Sequence, residues 1–124
     1  MTRENKELLL VDLCGRLPYG VILSCCDTVG EKLTSIDEKG LVNHDYDIDE
    51  VKPYLFPMSS MTEEYKEELV HKRLGYYQVF EGIGRRFFFE RGCEVYEWLN
   101  EHHFDYRGLI EKGLAIDCTN LNIY

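Results

Sequence analysis

Between its first helical stripe and its second, this chain offers three short extended runs rather than one, and that order limits the fold more than any other feature. Residues 3–16 carry Leu9, Leu10, Leu13, Cys14 and, just beyond, Leu17 at helical spacing. Thr2 is placed to cap the start, and Glu4 and Glu7 suit the positive end of the helix dipole. Pro18 ends the helix because its ring cannot continue the hydrogen-bond ladder. Val21, Leu23 and Cys25 then alternate with Ile22, Ser24 and Cys26. The chain turns at Asp27-Thr28-Val29-Gly30, runs back over residues 32–36, and turns again at Glu38-Lys39-Gly40 into residues 41–46. This is the pattern of an antiparallel meander. Helices and strands that do not alternate singly argue against a wound parallel sheet.

Residues 46–57 read as a compact turn. Asp47 and Asp49 are good cap residues, while Pro53 and Pro57 prevent a long helix. A second helix starts near Ser60 or Thr62 and runs to about Arg73, with Ser60 and Glu63 spaced as a capping box and Tyr65, Leu69 and Val70 as its stripe. Residues 76–81 and 85–91 form a hairpin around Gly82-Ile83-Gly84. The strand-like Phe87-Phe88-Phe89 after Arg85-Arg86 fits a hairpin turn rather than a dinucleotide fingerprint. A third helix over 94–103 presents Val95, Trp98, Leu99 and His102 on one side. Asp105 caps a short fourth helix, closed by Lys112-Gly113-Leu114 with Leu114 folding back toward Leu109. Residues 115–124 add a last strand or fray. The expected architecture is α+β, a single domain over residues 1–124. Its antiparallel sheet, a three-stranded meander plus the hairpin, is packed by three to four helices.

A length of 124 residues, 44% of them hydrophobic and 30% charged, fits one packed domain and excludes a disordered tail. Leu8-Leu9-Leu10-Val11 is broken by Asp12 and falls short of an export signal or membrane span. The five cysteines, an odd number without an export signal, read as reduced thiols in the cytoplasm. With 14 basic against 23 acidic residues the net charge is −9, which repels phosphate backbones and disfavours direct nucleic-acid binding. The acidity peaks at Asp45, Asp47, Asp49 and Glu50.

Three stretches, LPYGV from Leu17, YDIDEVKPYLFPMSSMTEE from Tyr46 and WLNEHHFDYRGLIEKGLA from Trp98, resemble a group of short, uncharacterised proteins from gut bacteria and their phages or mobile elements. The resemblance implies a cytoplasmic, phage- or mobile-element-linked origin. It implies no activity and carries over no site residues.

No catalytic motif is present. Cys93 near the start of the third helix, with His102 or His103 as base, is the one nucleophilic arrangement the inventory permits, although an uninterrupted helix separates them by roughly 13–15 Å. No pair of cysteines or histidines has structural-zinc spacing, so no metal or other cofactor is expected. Asp45, Asp47 and Asp49 copy the first ligands of a calcium loop, but Glu50 stands where glycine must turn and Phe56 where the bidentate glutamate is needed. Tyr54, Phe56, Met58, Met61 and Phe88 are candidates for a binding surface, against the plainer reading that they fill the core. The expectation is a small cytosolic interaction module that binds another protein or its own copy. The alternatives are a small thiol- or metal-dependent hydrolase using Cys93, His102 or His103, and an acidic decoy of a nucleic-acid-binding protein.

Overall fold

The computed structural model describes residues 1–25, 28–72 and 96–124. Helix α1 spans Arg3–Arg16, and Thr2 Oγ1 accepts from the Asn5 amide at 3.1 Å, as the capping reading predicts. Its buried face is Leu9, Asp12, Leu13 and Arg16, rotated from the predicted stripe, and Cys14 is exposed. The rotation has an electrostatic origin. Asp12 and Arg16 lie four residues apart and Arg16 Nε donates to Asp12 Oδ2 at 2.7 Å, so the pair enters the interior together where a lone charge could not.

A proline-bearing turn over Leu17–Tyr19 leads through Gly20, at φ 70, into the sheet. Strands β1 (Ile22–Cys25), β2 (Thr28–Lys32), β3 (Val51–Pro57), β4 (Phe104–Asp105) and β5 (Ile116–Asp117) form one sheet. Its path is β2-β1-β3-β4, and β5 also pairs with β3. β1 is antiparallel to β2 and β3, whereas β4 and β5 run parallel to β3. The sheet is therefore mixed, which corrects the expected antiparallel one. Parallel neighbours need a long crossover, and residues 58–103 supply it between β3 and β4.

The expected meander is also redrawn. β2 begins at Thr28, inside the expected turn, and residues 41–46 contribute only the isolated bridges Ile36↔Val42 and Val42↔Tyr46. Asn43 explains why, at φ 53 and with its side chain doing the work of a paired strand. Its Oδ1 accepts from the Thr34 and Ser35 amides at 2.7 and 3.3 Å, and its Nδ2 donates to the Lys32 carbonyl at 2.9 Å. Asn43→Ala is expected to lower stability by about 2 kcal/mol in urea unfolding. Asn43→Gly, which accepts the positive φ, isolates the hydrogen-bond part of that loss.

The strand replacing residues 41–46 is β3, in the segment expected to be a turn. Pro53 is tolerated by position, because it pairs with Leu23 while the ladders with β5 and β4 begin at Tyr54 and Phe56, so neither loses a donor to it. Pro57 is the last residue of the strand, opposite Asp105. Asp47 and Glu50 form a capping box on the short turn Ile48–Glu50 that launches β3.

Helix α2 spans Glu63–Lys72 and is capped by Thr62, whose Oγ1 accepts from the Tyr65 amide at 3.2 Å. Ser60 instead donates to the Pro57 carbonyl. Residues 96–101 are helical. The expected fourth helix is a run of turns, yet its predicted ends are present. Asp105 accepts from the Leu109 and Ile110 amides, each at 2.9 Å, and the Leu114 amide donates back to the Leu109 carbonyl at 2.9 Å beside Gly113 at φ 73. Among the described residues no helix is long and apolar enough to cross a membrane. The predicted hairpin of residues 76–91 lies outside the described residues.

Two apolar clusters form the core. The larger joins α1 (Leu9, Leu13) to the sheet (Leu23, Val51, Leu55), and the smaller gathers Met61, Trp98, Leu99 and Phe104.

Candidate functional site

A buried knot of charge lies at the end of α1. Asp12 and Arg16 are both 0% exposed, and a helical pair 88 and 95 residues away in sequence from its partners holds distant segments together. Asp12 accepts from Arg16 Nε and Nη2, at 2.7 and 3.1 Å, and from Arg107 Nε at 3.2 Å. Arg16 Nη2 also donates to the Phe104 carbonyl at 2.6 Å. The Tyr106 ring lies 5.3 Å from the Arg16 guanidinium and 4.9 Å from that of Arg107, within cation–π range. Its hydroxyl donates to Asn100 Oδ1 at 2.9 Å, and burial raises the Tyr106 pKa, keeping the phenol neutral. The knot has two guanidinium groups to one carboxylate, and Arg16 Nη1 is buried without a partner. None of these residues was singled out from the sequence. The available signal was Asp12 and Arg16 falling on the same helical face as Leu9 and Leu13.

The two imidazoles lean on rings rather than on acids. His102 lies 4.2 Å from the Trp98 ring and 5.0 Å from that of Tyr65, while His103 stacks on Tyr124 at 3.7 Å with planes 9° apart. His103 is at φ 63, a conformation histidine adopts more readily than most side chains. Burial, with Arg16 and then His102 adding repulsion, lowers its pKa to about 4, so the ring is neutral at pH 7. Cys93, the proposed nucleophile, lies outside the described residues, as does Phe88. Of the described thiols, Cys118 is buried and pushed up to about 11, too high for a ready nucleophile. Among the described residues no group of three or more His, Cys, Asp or Glu side chains could hold a metal ion.

The chain matches no protein-family model, no curated protein and no solved structure. Function is therefore read from the placement of its own side chains.

The aromatic and methionine candidates lie largely inside. Tyr54 and Met61 are buried, and Phe56 and Met58 are half-buried against the Trp98 cluster. Phe56 sits 6.0 Å from the Phe104 ring and 5.9 Å from that of Tyr124. The acidic candidates lie outside: Asp45, Asp47, Asp49 and Glu50 are all exposed. An open cleft of about 420 Å³ separates α1 from the loops of residues 39–49. Glu7, Asp47 and Asp49 line it together with Lys6, Lys39, Leu10 and Ile48, and Lys6 Nζ lies 3.8 Å from Asp49 Oδ2.

Proposed function

We propose that this chain is a small, non-catalytic cytosolic module that binds another protein through a basic surface on that partner. One observation carries the reading: around one open cleft three carboxylates, Glu7, Asp47 and Asp49, outnumber two ammonium groups, Lys6 and Lys39, and the exposed Asp45 and Glu50 of the same segment add to the negative side. The buried carboxylates Asp12 and Asp105 are already engaged, one with Arg16 and Arg107 and the other with the Leu109 and Ile110 amides. A chain of net charge −9 repels its own copy, so a basic partner is favoured over self-association. Rim charges of this kind act chiefly on association rate and salt dependence.

The test starts from the intact chain, immobilised to capture partners from a bacterial lysate, with each captured protein then purified and titrated directly. A true partner binds at least about tenfold more weakly in high salt, and the Asp47→Asn/Asp49→Asn double variant weakens it by a similar factor. Binding that ignores both salt and the double substitution refutes the reading, as does capture of nothing.

A further inference from the structure

Tyr124 performs a task no other described side chain shares. Its hydroxyl accepts from the Ile22 amide at 2.8 Å and donates to the Tyr54 carbonyl at 2.8 Å, inserting an O–H between β1 and β3 just past the Leu23↔Pro53 pair. The residue as a whole is 45% exposed; besides this inserted hydroxyl, its ring meets that of Phe56 at 5.9 Å and offers one face to a stacking partner. That face is covered by the His103 imidazole, stacked at 3.7 Å. His103 is itself fixed from behind, because its carbonyl accepts from the Phe56 amide at 2.8 Å. Its Nδ1 is buried with no hydrogen-bond partner.

The geometry points to an acid-sensitive clasp, in which protonation of His103 releases Tyr124 from the seam between β1 and β3. A neutral imidazole can leave one ring nitrogen unpaired at modest cost. An imidazolium has two N–H donors and a charge, and here one donor would be buried without an acceptor. The surroundings offer that charge nothing. From α1 it meets Arg16; its own turn contributes His102; the last segment contributes the Tyr124 ring, which itself has the Cys118 thiol nearby; β3 contributes the Phe56 amide on the His103 carbonyl, and the Phe56 ring lies against Tyr124. The buried carboxylates are committed elsewhere, Asp12 to two guanidinium groups and Asp105 to the Leu109 and Ile110 amides. A tyrosine face attracts a cation, but burial and Arg16 outweigh it, as the lowered imidazole pKa reflects.

The sign follows from linkage. With a pKa lowered from 6.5 to about 4, neutral His103 supports the closed clasp above pH 6.5 and withdraws that support as pH falls toward 4. Opening bares the Ile22 amide and the Tyr54 carbonyl, two backbone groups at a strand seam.

Amide hydrogen exchange on the full chain reads this directly. The reporter is the Ile22 amide, and the control is the Leu33 amide, which donates to the Val21 carbonyl at 2.9 Å in the same sheet. Corrected for intrinsic rates, Ile22 protection is expected to fall at least about tenfold between about pH 7 and pH 4.5 while Leu33 protection holds. His103→Asn, which keeps the positive φ without a titrating ring, is expected to abolish that pH dependence. Tyr124→Phe is expected to leave Ile22 poorly protected at every pH. A parallel titration of the His103 ring by chemical shift in the unaltered chain keeps the test decisive if either variant folds poorly, because the ring in the closed clasp must titrate well below 6.5, near the pH at which the loss of Ile22 protection levels off. The clasp is refuted if Ile22 protection does not change, if Ile22 and Leu33 lose protection together, or if His103→Asn retains the response.

Discussion

Asp12→Ala is expected to destabilise the protein by about 3–5 kcal/mol, the largest loss we anticipate for removal of any single polar group. The Asp12 carboxylate is 0% exposed and receives three hydrogen bonds, two from Arg16 and one from Arg107. Removing it leaves the Arg16 guanidinium buried with a single remaining bond, to the Phe104 carbonyl, and no neutralising charge. An unpaired buried charge is far costlier than a missing contact. Asp12→Leu with Arg16→Met is expected to recover most of the loss, because replacing both partners by apolar side chains removes the stranded charge. Urea unfolding measures both variants, and an unchanged slope with a lowered midpoint identifies a stability effect. If the double variant loses as much as the Asp12→Leu and Arg16→Met single variants together, the two positions are not coupled and the stranded-charge account fails. The knot also explains why the two apolar clusters have a defined relation: Arg16 extends from the α1 face of one to the backbone of Phe104 in the other.

How much of this was legible in advance depended on whether local chemistry or distant partners decided each element. Thr2, Asp47, Asp105 and Gly113 act within a few residues of themselves, and their sequence signatures led to the right positions, although the Glu50 half of the Asp47 box was found only in the structure. Strand β3 failed the same reading because Pro53 and Pro57 oppose strand formation locally. Only knowledge of where β5 and β4 begin shows that the donor missing at Pro53 is harmless, and only the strand's end at Pro57 shows that the second proline interrupts nothing beyond it. The parallel pairing could not be seen either, since it joins Tyr54 to Ile116 and Phe56 to Phe104 across long intervals. On α1, hydrophobicity alone placed Cys14 in the stripe, and the Asp12–Arg16 pair turned the helix instead. The site behaved likewise. The exposed acids were visible as a charge peak, whereas the His103–Tyr124 stack required two segments 21 positions apart to meet.

Trp98→Ala is expected to cost about 3–5 kcal/mol, while Trp98→Phe costs no more than about 1–2. Trp98 is 1% exposed and forms the centre of the smaller cluster. Phe104 lies parallel to it at 5.9 Å, Tyr65 meets it edge-on at 5.8 Å, and His102 closes at 4.2 Å. Alanine leaves a cavity that this many rings cannot collapse into, so both the transfer and the cavity contributions are lost. Phenylalanine leaves a smaller void and removes a liability, because Trp98 Nε1 is buried without a hydrogen-bond partner. An indole N–H left unpaired costs on the order of 1–3 kcal/mol, and deleting it offsets part of the lost packing. Thermal and urea unfolding of the two variants separate these contributions. Equal losses for alanine and phenylalanine would mean that the indole N–H has a partner after all, and that the cluster depends on a hydrogen bond as well as on ring packing.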